Sequence, residues 1–208
     1  MVAFWDHGYR ATSLQDLVDT MGINRASLYD TFGDKYTLFL KTLNSYNDNY
    51  VKPYIAERKR KYSPRQAVVG MFDDICDRVQ AGEDRNGCFI INTALELSPH
   101  DKEVSKIVNR TFVYIEKNFF RKMIIRGQAS GEIAKSVVPS TASRVLLSLF
   151  LGLRVLSRNR PEKVVLNAIK SQVDALLPPG ENVALSHNFS RSLRRQGRKV
   201  FHDTAQVA

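Results

Sequence analysis

The sequence predicts an all-α chain of about nine helices, and three observations carry that reading. Apolar residues recur at three- and four-residue spacing, as in Leu14, Leu17, Val18 and Met21, or Val104, Ile107, Val108, Phe112, Ile115, Phe119 and Met123. Capping residues and glycine or proline stops punctuate these runs. Hairpin signals are missing apart from Asn86-Gly87, whose flanks do not alternate.

Taken in order, Phe4 and Trp5 are the apolar residues of a first helix. Ser13, with Asp16 three residues on, has the capping-box arrangement for a second helix that Gly22 ends. Asn24 caps a short third helix and Gly33 stops it. Asp34 then caps a long fourth helix running towards Lys61. Ser63-Pro64 opens a fifth, to about Gln80, with proline in the first turn. After a polar loop, Cys88 to Leu97 is a mixed apolar segment broken by Ser98-Pro99. The stripe from Val104 to Met123 follows, and Gly131 and Pro139 separate it from a helix capped by Ser140 that carries Val145, Leu146, Leu149, Phe150 and Leu153. Pro161 opens the last helix, with Val164, Val165, Ala168, Ile169, Val173 and Leu176, and Pro178-Pro179-Gly180 stops it. Beyond lies a polar, basic tail without a stripe, expected to be disordered and solvated.

With Lys and Arg at 31 against Asp and Glu at 21, the formal charge is +10, which suits a polyanionic partner. Its distribution qualifies that. Arg191, Arg194, Arg195, Arg198 and Lys199 crowd the tail, whereas the first helices set Arg10, Arg25 and Lys35 against Asp6, Asp16, Asp19, Asp30 and Asp34. An amino-terminal nucleic-acid site would therefore rest on placed groups and not on a bulk basic field. A second basic cluster, Lys52, Arg58, Lys59, Arg60, Lys61 and Arg65, reads as a solvated face.

The two cysteines, Cys76 and Cys88, have no metal-ligand spacing and suit a reducing compartment, with Cys88 read as a structural residue. The histidines His7, His100, His187 and His202 are scattered, and no phosphate loop or nucleophile elbow is present, so the reading is not an enzyme, with no metal and no cofactor. The start MVAFWDHGYR is not a signal peptide, and Val145 to Leu156 is too short to span a bilayer and carries Arg154. A cytoplasmic protein is expected.

The stretch TSLQDLVDTMGINRASLYDTFGDKYTLF, beginning at Thr12, has the parts of a helix-turn-helix. Leu17, Val18 and Met21 supply the inner face of one helix, Gly22 the left-handed turn, Ile23 a plug and Leu28 the inner face of the next. Arg25, Ala26, Ser27, Tyr29 and Asp30 are then left facing out, flanked by Asn24 and Thr31. Such a face suits a major groove: arginine reads guanine or holds a phosphate, alanine admits a thymine methyl, and tyrosine and serine hydroxyls hold phosphates. Thr12 and Ser13 fall where a helix amino terminus would meet the DNA backbone, and Lys35 adds a phosphate contact. Tyr9 is expected to pack in the head.

Phe4-Trp5, Gly8-Tyr9, Thr12-Ser13, Leu17, Gly22-Ile23, Arg25, Ser27-Leu28-Tyr29 and Phe32-Gly33-Asp34-Lys35 through Leu38-Phe39 stand at the spacing of the TetR family of bacterial transcriptional regulators, which this chain resembles. The resemblance implies a homodimer, with a helix-turn-helix DNA-binding domain at residues 1–45, an effector-binding and dimerisation domain at 46–178 and a tail at 179–208. It implies a repressor on a pseudo-palindromic operator, released when a small molecule swings the long fourth helix and changes the separation of the two recognition helices. Family members usually begin earlier in their first helix, so the first helix reads as truncated, and a helical partner-binding or ligand-sensing protein with impaired DNA binding is the alternative.

By the same resemblance the dimer forms through the last two helices, at Leu146, Leu149, Phe150, Leu153, Val165, Ile169 and Val173. Asn92, Thr93 and Glu96, polar residues on an apolar segment, are effector-pocket candidates beside Phe112 and Phe119; the same three suit capping and surface placement slightly better. The effector expected is a hydrophobic or aromatic small molecule.

Overall fold

The computed structural model describes residues 1–83, 86–159 and 162–180. Among the described residues there are nine helices and no strand. The head comprises α1 (Val2–Ala11), α2 (Leu14–Met21) and α3 (Arg25–Phe32). Helix α4 runs Lys35–Tyr46, passes through a π-helical turn at Asn47–Val51 and continues as Lys52–Lys61. After α5 (Pro64–Gln80) and the short α6 (Phe89–Glu96), α7 runs Lys102–Ile115, takes a second π turn at Glu116–Arg121 and continues as Lys122–Ser130. Helices α8 (Pro139–Asn159) and α9 (Lys163–Leu176) complete the body. The readings made at Pro161, and on the tail from residue 181 onward, lie outside the described residues.

Local chemistry sets most of these boundaries. Ser13 and Asp16 close a reciprocal capping box, Asn24 accepts from the Ser27 amide at 2.8 Å, and Asp34 accepts from the Thr37 amide at 2.6 Å. Two expected caps differ. Ser63 turns its hydroxyl to Glu132 at 2.6 Å, and Ser140 lies inside α8, which begins one residue earlier.

The capping carboxylates make the head acid-sensitive. Amide donation from Thr37 to Asp34, and from Ser13 to Asp16, holds both carboxyls below their ordinary pKa. A depressed folded pKa contributes stability that is fully present above the ordinary value and is lost as pH falls through the folded one. Urea midpoints followed from about pH 5 to about pH 2 should therefore fall less steeply in Asp34→Asn than in wild type. Parallel acid limbs would show that the cap adds nothing to stability.

Two apolar cores form. One joins the distal part of α4 to α5, the later part of α7, α8 and α9, around Phe72, Phe119, Phe120, Leu146 and Leu153. The other joins Phe4, Leu17, Leu28 and Phe39 of the head and α4 to Phe89, Ile90, Val104 and Ile107 of α6 and α7. Helices as short as α2 and α3 need such outside support, since their own backbone bonds do not hold them in water. Val51, in the α4 π turn, packs against both cores.

One sequence expectation is corrected here. Arg58 is not on a solvated face: it is 4% exposed, donates to the Ala67 carbonyl at 3.0 Å and to the Tyr54 hydroxyl at 3.2 Å, and pairs with Asp74. The apolar stretch Val145 to Leu156 lies inside the longer α8, which by length and composition alone could cross a bilayer. Its Leu146 and Leu153 are nevertheless fully buried in the chain's own core.

Candidate nucleic-acid interface and ligand cavity

The α2–α3 turn is built from three adjacent residues. Gly22 takes φ 64°, ψ 30°, a left-handed conformation that a side chain disfavours; the Ile23 amide then bonds back to the Val18 carbonyl at 3.2 Å, and Asn24 restarts the helix. Leu17 and Val18 from α2 and Leu28 from α3 are buried, Leu28 completely. Met21, expected on this inner face, is 38% exposed instead.

The opposite face of α3 is open. Asn24, Arg25, Ala26, Tyr29, Asp30 and Thr31 are exposed, Ser27 is half-buried, and Ser13 is exposed at the start of α2. The Arg25 guanidinium donates to the Gln15 side chain at 3.4 Å, which ties it to α2. Lys35 lies with its ammonium 4.4 Å from the centre of the Tyr9 ring, and burial lowers its pKa against the opposing pull of Glu96 and Asp16. Thr12 does not belong to this face. It is fully buried and donates its hydroxyl to the Gly8 carbonyl at 2.6 Å and the Ala3 carbonyl at 3.2 Å, closing the break in α1 where Gly8 adopts φ 82°. Its position before the cap suggested a DNA contact; the backbone break behind it turns it inward.

Helix α1 is fastened to the body by polar bonds on either side of that break. The amides of Tyr9 and Arg10 donate to the two oxygens of Glu96 at 3.1 and 2.8 Å. The Trp5 indole donates to the Asn86 carbonyl at 3.2 Å, and the Asn86 amide to Asp6 at 2.5 Å. Farther along, Tyr36 donates to Asp101 at 3.0 Å, and burial together with that carboxylate pushes the phenol up to about 12. The buried pair Thr111 to Asn47, 2.9 Å, joins α7 to the start of the α4 π turn.

A cavity of ≈ 560 Å³ opens beside these contacts. Its wall is mostly apolar and aromatic: Tyr46, Tyr50 and Tyr54 from α4, Phe112 from α7 and Phe150 from α8. Such a volume and lining fit a small-molecule site. Of the pocket residues expected from the sequence, Phe112 lines it and four do not. Glu96 is the clasp on α1, Thr93 is buried in α6, Phe119 is fully buried in the body core, and Asn92 donates to the Asn86 carbonyl at 2.9 Å. Cys88 borders the cavity and accepts from the Tyr46 hydroxyl at 3.8 Å. Cys76 is buried elsewhere, and burial raises its thiol pKa to about 11.

The expected dimer residues divide. Leu146, Leu153 and Val173 are fully buried within the chain, which corrects their reading as interface positions: the stripe that suggested them is the face turned to the body core. Leu149, Phe150 and Ile169 pack partly against the same core, with Phe150 edge-on to Phe72 at 6.4 Å. Val165 is half-buried. The large apolar residues that do face outward on α8 and α9 are Val145, 38% exposed, and Val164, 76% exposed. No group of three or more metal-ligating side chains occurs among the described residues.

A capped, plugged reader helix on a glycine turn, continued through one residue pair into a long helix that borders a ligand-sized cavity, defines the class of helix-turn-helix DNA-binding regulators. Residues 1–42 match the family described as bacterial regulatory proteins, tetR family. The chain is 34% identical over 130 residues to the uncharacterized HTH-type transcriptional regulator YezE of Bacillus subtilis (strain 168), covering 62% of this chain and 66% of that protein, just short of two thirds. It is 28% identical over 159 residues to the HTH-type transcriptional repressor ComR of Escherichia coli (strain K12), covering 76% of this chain and 75% of that one. A cysteine mutant of the TetR family transcriptional regulator CifR, solved in complex with a 26-bp double-strand operator DNA, superposes with a TM-score of 0.72 at 25% identity, covering 85% of this chain and 92% of that one. Over residues 1–42 the chain thus carries the amino-terminal pattern of the TetR family, and along most of its length it is similar to helix-turn-helix transcriptional regulators of that kind.

Proposed function

We propose that the chain is a ligand-responsive repressor in the bacterial cytoplasm that binds a pseudo-palindromic operator as a homodimer and leaves it when a small molecule fills the cavity. The observation that carries this reading is the continuity of α3, Gly33-Asp34 and α4: the helix with the open polar face is joined by two residues to the helix whose tyrosines line the cavity. The division of labour follows, with residues 1–45 reading DNA and 46–178 binding the effector and the second copy. The names of the repressor ComR and of the operator-bound CifR support it.

On the open face, Arg25 reads a base edge, Tyr29 and Ser27 hold phosphates, and Ala26 lets the backbone approach. Asn24, Asp30 and Thr31 flank the contact, with Ser13 and Lys35 on neighbouring phosphates. The second copy packs on the outward side of α8 and α9, centred on Val145 and Val164. Because two half-sites must meet successive groove faces about 34 Å apart, or a multiple of that, a modest change in head separation releases the DNA.

A band-shift assay with the DNA flanking the protein's own gene, at stated salt, tests this. Arg25→Ala should change preference at one position per half-site by about 1–3 kcal/mol, whereas Tyr29→Phe should weaken binding to all sequences alike. Binding by wild type no tighter than to random DNA would overturn the repressor reading; an unchanged preference in Arg25→Ala would overturn the base-reading role.

A further inference from the structure

The cavity has a wall in the DNA-binding head. Besides α4 and the body, it is bordered by Trp5 and Asp6 of α1. The two neighbouring aromatic residues of α1 diverge: Phe4 is 1% exposed and packs edge-on against Phe39 at 5.1 Å, while Trp5 lies edge-on to Tyr46 at 5.2 Å on the cavity side. Trp5 is held there by its bond to the Asn86 carbonyl. Tyr50 stacks on the far partner, Tyr46, at 5.4 Å and 18°, so an aromatic surface runs from the head onto the long helix.

Resting on the reading of this cavity as the effector site, we propose that its ligand is a neutral, largely apolar aromatic molecule seated against Trp5, so that the effector touches the head directly. Three features favour that class. The wall is dominated by rings and aliphatic side chains, and rings stack offset or edge-on with an aromatic guest. Its charged members balance, Arg78 and Arg154 against Asp6 and Glu83, so a neutral guest adds no unmatched charge to an apolar site. The volume of ≈ 560 Å³ has room for two or three fused or linked rings.

The regulatory consequence differs from a push on α4 alone. A guest against Trp5 competes with the packing that joins α1 to the body at the Asn86 loop, while the Glu96 clasp holds the other side of the Gly8 break. Helix α1 is thereby tilted about that break, and the head moves relative to α4.

The chain contains a single tryptophan, so Trp5 emission reports this wall without background. The full-length protein is titrated with N-phenylnaphthylamine, a neutral aromatic dye that accepts energy from tryptophan, and both Trp5 quenching and sensitised dye emission are recorded. Saturable quenching with matching sensitised emission is the expected result in wild type, which requires no variant to fold. Dye affinity should fall about tenfold or more in both Trp5→Leu and Phe150→Ala. Operator affinity and dye affinity should weaken each other by the same factor. Dye binding that Phe150→Ala weakens, but that leaves Trp5 emission and the affinity of Trp5→Leu unchanged, would keep the cavity as the effector site and overturn the head wall. No saturable binding would overturn the aromatic-ligand assignment, and operator binding measured without dye stands apart from either outcome.

Discussion

Phe39→Ala is expected to cost about 3–5 kcal/mol and to loosen the head from the body before the body itself unfolds. Phe39 is fully buried and is the common neighbour of three other rings: Tyr9 at 4.8 Å, Phe4 at 5.1 Å and Phe89 at 5.9 Å. Phe4 and Tyr9 belong to α1, Phe89 to α6, and Phe39 itself to α4, so deleting the ring opens a cavity where head, long helix and body meet. Hydrogen exchange should show lost protection in α1 to α3 with α8 and α9 unchanged. Phe39→Leu, which fills much of the space, should recover most of the loss. If the alanine variant kept the wild-type urea midpoint and exchange pattern, the shared core would not be what holds the head.

Leu28→Ala should be nearly as severe for stability, at about 2–5 kcal/mol, and more severe for DNA binding. The side chain is completely buried and is the one fully buried residue of α3, which spans only Arg25–Phe32. Without it, that helix keeps its cap, its glycine stop and the partly buried Ile23 and Phe32 beside it, but loses the one fully buried side chain that presses it onto Leu17 and Val18. The band shift should vanish, while dye binding to the cavity, whose lining includes no residue of α2 or α3, should persist. Thr20→Ala, on the exposed side of α2, is the matched control and should leave both signals in place. Wild-type operator affinity in Leu28→Ala would sink the claim that this one contact seats the reader.

The head was legible in the sequence because its determinants are local. Ser13 and Asp16, Gly22 and Ile23, Asn24 and Ser27, and Asp34 and Thr37 each act over five residues or fewer, and spacing alone exposes them. The cavity was not legible, because its wall is assembled by tertiary packing. Glu96 bonds to Arg10, 86 positions away, and nothing in the segment Cys88 to Leu97 marks it as a clasp and not a pocket residue. Thr12 was misread for a related reason: only the break at Gly8 turns its hydroxyl inward. The dimer positions failed differently. A helical stripe shows that a face is buried but not by whom, so Leu146, Leu153 and Val173 look the same whether a partner covers them or the chain's own Phe72 and Phe120 do. Arg58 had no apolar signal at all; its burial follows from the hydroxyl, carbonyl and carboxylate that surround it.

The π turn at Asn47–Val51 gives α4 two angular phases. In an unbroken α-helix, residues eight apart drift by roughly 80° around the axis. Closing one turn five residues apart underwinds the helix and removes much of that drift, which is how Tyr46, Tyr50 and Tyr54 all come to border the cavity. Ahead of the turn, Leu38, Phe39 and Leu43 are phased to the head core; after it, Ile55 and Arg58 are phased to the body. A chain lacking one residue elsewhere in α4, with this turn kept, would have a helix of almost the same length with its two ends rotated against each other by roughly 100°. The relation between the two ends of α4 is therefore set by angle more than by distance, and a change in its length preserves that relation only by steps that restore the rotation.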